Sequence, residues 1–142
     1  MILLRSPYPK VSCPETLSRI RKWLEDCHSN HLQCNKCQLG QAKAYVVPSY
    51  ILNVAWAVDE VRLEEAPVTS EGISYGALSY CWGAEQPQQT TSINFQKHKA
   101  GIAMLSLPRT IQDAITVSRA LGLKYLWVDS LCTIQDSAVH KQ

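Results

Sequence analysis

Near the N-terminus apolar residues recur at helical spacing: Leu17, Ile20, Trp23, Leu24 and Cys27, with Arg19, Arg21, Lys22 and Glu25 on the other side. This pattern predicts a helix over 14–27. Ser12 is its expected N-cap, with Pro14 early in the first turn and Glu15 spaced to close a capping box. A polar stretch, HSNHLQCNKCQLG, follows and closes on Gly40. From Ala44 the pattern changes to period two, with YVV at 45–47, YILNVAW at 50–56 and EVRLEE at 60–65, where Val61 and Leu63 alternate with charges. These segments predict a β-hairpin over about 45–65 that turns around Val58 and Asp59, with Pro48 favouring an edge position.

After a linker at 66–72, YGALSYCW (75–82) reads as a strand with sizeable apolar groups on both faces, the pattern of a strand buried inside an α/β sheet. AEQPQQTTS (84–92) reads as a solvated loop without core residues. The segments 93–95 and 101–105 suit short strands or irregular chain. Pro108 opens a helix expected to reach Leu121, with Ile111, Ala114, Ile115, Ser118 and Leu121 inward and Gly122 as the stop. LKYLWVDS (123–130) is then an apolar strand ending on Asp129. Strand, helix, strand in this order is a βαβ unit, so the strands at 75–82 and 124–129 are expected to be parallel.

The 142 residues suffice for one domain with a real core but are short for two. With 46% hydrophobic and 18% charged residues the chain is globular in character. A formal net charge of +2, without a basic stripe, argues against nucleic acid as a partner. The longest early apolar run, Ile2 to Leu4, is too short for a signal sequence or a membrane span. A cytoplasmic protein with its six cysteines reduced is therefore expected, rather than a disulfide framework.

Ligands of open parallel sheets sit outside the carboxyl ends of the strands. Here those ends are Ser79, Tyr80, Trp82 and Gly83 from one strand, and Asp129 and Ser130 from the other, followed by Cys132, Gln135 and Asp136. An acid, hydroxyls, an amide and an aromatic platform suit a ribose or an amide-bearing ligand. The plainer reading is that Asp129 caps the next helix and Trp82 covers the sheet end. A phosphate loop is excluded, since neither GxGxxG nor GxxxxGK[ST] occurs.

YGALSYCWG together with LPRTIQDAITVSRALGLKYLWVDSLCTIQD (107–136) resembles the fungal heterokaryon incompatibility (HET) domain. That family pairs a Tyr-x-Ala-Leu-Ser-Tyr-x-Trp-Gly block with a Leu-Pro, Asp-Ala-Ile, Tyr-Leu-Trp-x-Asp and Cys-x-x-Gln block. Tyr75, Ala77, Leu78, Ser79, Tyr80, Trp82 and Gly83 match the first; Leu107, Pro108, Asp113, Ala114, Ile115, Tyr125, Leu126, Trp127, Asp129, Ser130, Leu131, Cys132, Gln135 and Asp136 match the second. In the N-terminal flank Trp23, Cys27, His31, Cys34, Pro48 and Val61-Arg62-Leu63 resemble the leader of these proteins. Tyr50 and Asn53 stand where an Arg and an Asp usually follow the Pro.

The resemblance implies non-self recognition and programmed cell death in a fungus, and a flavodoxin-like, TIR-related parallel α/β sheet. It divides the chain into a flank at 1–72 and the N-terminal part of a HET domain at 73–142. It also implies NAD as a substrate cleaved at the nicotinamide bond, with the rim residues binding ribose or nicotinamide. The family pattern continues beyond the Cys-x-x-Gln-Asp turn. The expectation is accordingly a truncated domain, with its catalytic acid missing, its sheet edges unpaired and no enzymatic activity. The alternative is a non-catalytic interaction module, meeting a protein partner or a second copy through an exposed sheet edge.

Cys27-x3-His31-x2-Cys34-x2-Cys37 has the spacing of zinc ligands, with packing and capping as the alternative use of these residues. A cysteine hydrolase would need Cys81 or Cys132 beside His98 or His140. No spacing supports such a dyad, which is a matter of geometry.

Overall fold

In the computed structural model the described residues are 13–31, 47–68, 73–82 and 88–137. They fall in two compact units, 1–45 and 46–142. The first contains helix α1, Pro14–Asn30, three residues longer than the apolar stripe predicts. Its N-cap is Cys13 rather than Ser12, which lies outside the described residues. Glu15 thereby falls one position short of closing a capping box, and the Cys13 thiol sits 3.0 Å from the Thr16 hydroxyl instead. No residue of α1 is buried, Trp23 included.

The second unit holds a five-stranded mixed sheet: β1 Tyr50–Asn53, β2 Glu60–Glu65, β3 Tyr75–Leu78, β4 Ile102–Ala103 and β5 Tyr125–Val128, in the order β3-β5-β1-β2-β4. The predicted hairpin is present, with β1 antiparallel to β2 and Leu52 opposite Leu63. The βαβ unit is present too, since β3 runs parallel to β5, hydrogen-bonded from Tyr75↔Tyr125 to Leu78↔Val128. The remaining pairs among the described residues are antiparallel, so the βαβ unit and the hairpin join in one mixed α/β sheet.

Three expectations are corrected here. Strand β3 stops at Leu78 and lies at the sheet edge with β5 as its neighbour, not inside the sheet. Tyr75, Ala77, Ser79 and Cys81 alternate outward and are exposed; Gly76, Leu78, Tyr80 and Trp82 are half-buried. Large apolar side chains on an edge strand need only one covered face. Next, Phe95 is neither strand nor irregular but opens helix α2, Phe95–Ala100; the later segment forms the short strand Ile102–Ala103 before a 3-10 turn at Met104–Ser106, within its expectation. Finally, the stretch 84–92 does carry a core residue, Thr90, which is wholly buried.

Helix α3, Arg109–Ala120, follows its pattern closely, burying Ile111, Ile115 and Ser118 against the sheet. Pro108 is its N-cap, and Gly122 ends it with φ +77°, a conformation that a Cβ disfavours. Gly76 on β3 lies under this helix: a Cβ added there would stand 3.3 Å from Leu126 Cδ1 and 3.5 Å from Ser118 Oγ. The core is one cluster, with Leu52, Val54, Val61 and Leu63 from the hairpin meeting Ile111, Ile115, Leu126, Val128 and Leu131. No helix among the described residues is long and apolar enough to cross a membrane.

Candidate functional site

Strand β5 ends at Val128, one residue earlier than its apolar run suggests, and Asp129 opens a one-turn helix, α4, Asp129–Cys132. The carboxyl end of β5 therefore runs directly into a helix, which packs against β1 and β5. Tyr80, just past β3, places its hydroxyl 3.2 Å from the buried Ser130 hydroxyl, which unites two of the predicted rim residues across the strand ends.

Asp129, Gln135 and Asp136 of the predicted rim are engaged as well. Asp129 Oδ1 accepts the Thr133 hydroxyl at 3.1 Å. Gln135 Nε2 donates to the carbonyls of Asp129 and Thr133 at 3.0 and 3.2 Å, so its amide stitches the turn after α4. Asp136 turns away to the segment before α2, accepting the Ser92 amide at 2.8 Å and the Ser92 hydroxyl at 2.6 Å. Cys132 is buried: its sulfur lies 3.4 Å from the Val128 amide, and desolvation pushes the thiol up to about 12. A thiol so hard to ionise is a core group, not a nucleophile. Ser79 is exposed and Trp82 half-buried; Gly83 lies outside the described residues.

Thr90 is the residue that composition hides. Its amide donates to Ser130 O at 2.9 Å, and its carbonyl accepts from the Gln135 amide at 2.8 Å. Its hydroxyl donates to Leu131 O at 2.6 Å and lies 2.9 Å from His98 Nδ1 on α2. A carbonyl only accepts, so the hydroxyl proton belongs to Leu131 O and His98 Nδ1–H donates to Thr90 Oγ1. Nε2 is then the basic nitrogen of the ring. Burial, and secondarily the Lys97 charge, hold His98 below the ordinary imidazole value. Asn94 completes the segment by donating to Gln89 O and accepting the Thr91 amide, both at 2.8 Å.

Segment 88–98 is thus latched onto the turn at 129–136 that follows β5. Its Thr-Thr-Ser-x-Asn run ahead of an amphipathic stretch is the only local sign of this, being the composition of a helix entry. Of the hydrolase candidates, His98 faces Thr90, Cys132 bonds to the backbone of β5, and His140 lies outside the described residues. Of the zinc set, Cys34 and Cys37 lie outside the described residues. His31 caps α1 by donating its amide to Cys27 O at 3.1 Å. Among the described residues no group of three or more His, Cys, Asp or Glu side chains is placed to hold a metal ion.

Residues 75–142 match the family described as heterokaryon incompatibility protein (HET). No curated protein and no solved structure matches the chain. The matched span begins at the first residue of β3 and takes in the latch, the α3 crossover and the whole strand-end rim.

Proposed function

We propose that this protein, whose residues 75–142 match the HET family, acts in non-self recognition between fungal cells, as a cytoplasmic death-effector module that works by contact rather than by turnover. One observation carries the second half of that statement. Most of the polar side chains that would have to hold a ribose or nicotinamide already have partners: Tyr80 bonds to Ser130, Asp129 to Thr133, Gln135 to backbone carbonyls and Asp136 to Ser92. A substrate would have to displace these bonds, at a cost greatest at the wholly buried Ser130, about 1–3 kcal/mol, and small at the exposed Asp136–Ser92 pair. Enzymes instead tend to present groups held ready for the reacting atoms.

NAD cleavage, the reading drawn from TIR relatives, would enlist Asp129 and Trp82 at the strand ends. The latch favours a structural role for them over catalysis. The uncharged outer edge of β3, with Tyr75, Ala77, Ser79 and Cys81 exposed beside it, offers backbone groups to another strand, either of a partner or of a second copy.

Induced expression of the chain in a filamentous fungal host tests the effector reading. Growth arrest is the expected result, abolished by Ile115→Ala, which removes a wholly buried side chain of α3. Normal growth at a level of wild-type protein confirmed by immunoblot would contradict it.

A further inference from the structure

From the end of β1 to the first residue of β2 the chain runs Ala55-Trp56-Ala57-Val58-Asp59-Glu60, and all six residues are exposed, Trp56 at 48% and Val58 at 82%. Four consecutive exposed apolar residues at a hairpin tip are unfavourable for solubility and contribute little to the core. A run of this kind is normally absent unless it serves a purpose.

The tip is also held still. Arg119, at the end of α3, gives its guanidinium to this loop: Nε to Val54 O at 2.6 Å, Nη1 to Val58 O at 2.6 Å, and Nη2 to Ala57 O at 2.5 Å and Glu60 O at 3.2 Å. Trp56 is fixed separately. The Arg62 guanidinium stacks 3.8 Å from the indole centroid and is itself anchored to Glu64, which accepts from Asn53 Nδ2 at 3.1 Å. The Ala55 amide closes the chain back onto Asn53 Oδ1 at 3.1 Å. These bonds fall on backbone carbonyls and on one face of the indole, so they set the shape of the loop while its apolar side chains stay in water. The Met104 amide donates to Asp59 O at 2.8 Å, which brings the next residue, Leu105, 91% exposed, to the same end of the sheet.

From these observations we infer that the 55–60 tip is a preorganised docking epitope for a protein partner that presents an apolar pocket rimmed by Lys or Arg. A rigid aromatic-aliphatic knob loses little conformational entropy on binding, and tryptophan backed by arginine is the composition of interface hot spots. Asp59 and Glu60 supply the charge that sets the partner's rim, since both are exposed and neither takes part in a salt bridge among the described residues. The same two carboxylates disfavour an anionic lipid surface, which would repel the tip. This surface is separate from the strand-end rim, and the inference holds whether or not that rim is catalytic.

The test is selection of random dodecapeptides displayed on phage against the full chain, with Val58→Asp as the counter-selected surface. Peptides combining aromatic or aliphatic residues with Lys or Arg are expected to be enriched. Their synthetic forms are expected to lose roughly tenfold or more in affinity on Val58→Asp and on Trp56→Ala, and to weaken on Asp59→Asn or with added salt. Val58→Asp touches no core residue, so an unchanged melting temperature certifies that it is folded. Arg119→Gln, with the knob intact but its backbone freed, is expected to weaken the same peptides. Three results would overturn the inference: no enrichment over the counter-selected surface; a concentration-dependent dimer in sedimentation that Val58→Asp dissolves, which assigns the tip to a second copy; or co-sedimentation with phosphatidylserine vesicles that Val58→Asp abolishes, which assigns it to membrane.

Discussion

Two regions of the sheet-bearing unit use hydrogen bonds to opposite effect. At the strand ends, Thr90, Tyr80, Ser130, Asp129, Gln135 and Asp136 spend side chains on one another and on backbone, and the region closes. At the hairpin tip, Arg119 spends its side chain on backbone carbonyls alone, and the loop's own side chains stay outside. The first arrangement builds a latch and the second a display. The difference lies in which atoms are left over for something else.

The most damaging change acts on the core beneath both regions. Ile115→Ala removes a wholly buried side chain between α3 and the sheet and is expected to cost about 3 kcal/mol in urea denaturation. Latch and tip should then lose protection together, because α3 carries Arg119 and packs on the strands that lead to the latch.

Thr90→Val separates the two regions. It keeps shape but leaves Leu131 O and His98 Nδ1–H without their partner in a buried place, a loss of about 2 kcal/mol. Accelerated amide exchange should appear in 88–98 and 129–136 while 54–60 stays protected. Arg119→Gln is the converse. Several of its carbonyl acceptors are exposed and can turn to water, so stability should fall by only about 1 kcal/mol. The exchange gain is then confined to the hairpin tip. If both variants loosened both regions equally, the distinction between latch and display would be wrong.

The smallest effect is on pH dependence. His98 is held below its ordinary value in the folded chain, so on acidification the unfolded chain takes up a proton that the native ring still refuses. Stability is therefore full above the unfolded imidazole value of about 6.5 and declines below it, until the native ring also titrates. The charged ring still donates from Nδ1 to Thr90, so burial rather than loss of the bond is responsible. Melting curves between neutral and mildly acid pH should show a steeper decline for wild type than for His98→Gln; equal slopes would remove His98 from the account.

Much of the framework was legible in the sequence because it rests on local signals. Helix α3 announces itself by Pro108, by Ile111 and Ile115 four apart and by Gly122; the hairpin by Val61 and Leu63 alternating with charge; and the parallel pair by the helix between its strands. Of the candidate rim residues, Tyr80 and Ser130 meet across the strand ends. The closure around them was not legible, because Thr90 finds its partners at 130, 131 and 135, and nothing in Gln-Gln-Thr-Thr-Ser marks which polar residue will be wrapped. The edge position of β3 was hidden for a related reason: aromatic content reports that a strand has a covered face, not how many strands flank it. Arg119 reads locally as one more cation on a helix, while its four acceptors lie about sixty residues earlier in the chain.

The central question is whether the latched strand ends do chemistry. The direct measurement is nicotinamide release from NAD by the purified full chain, followed by chromatography against a buffer control. A closed latch predicts no release above that control, for wild type and for Asp129→Asn alike. Turnover by wild type that Asp129→Asn abolishes would contradict it and make the rim an active site.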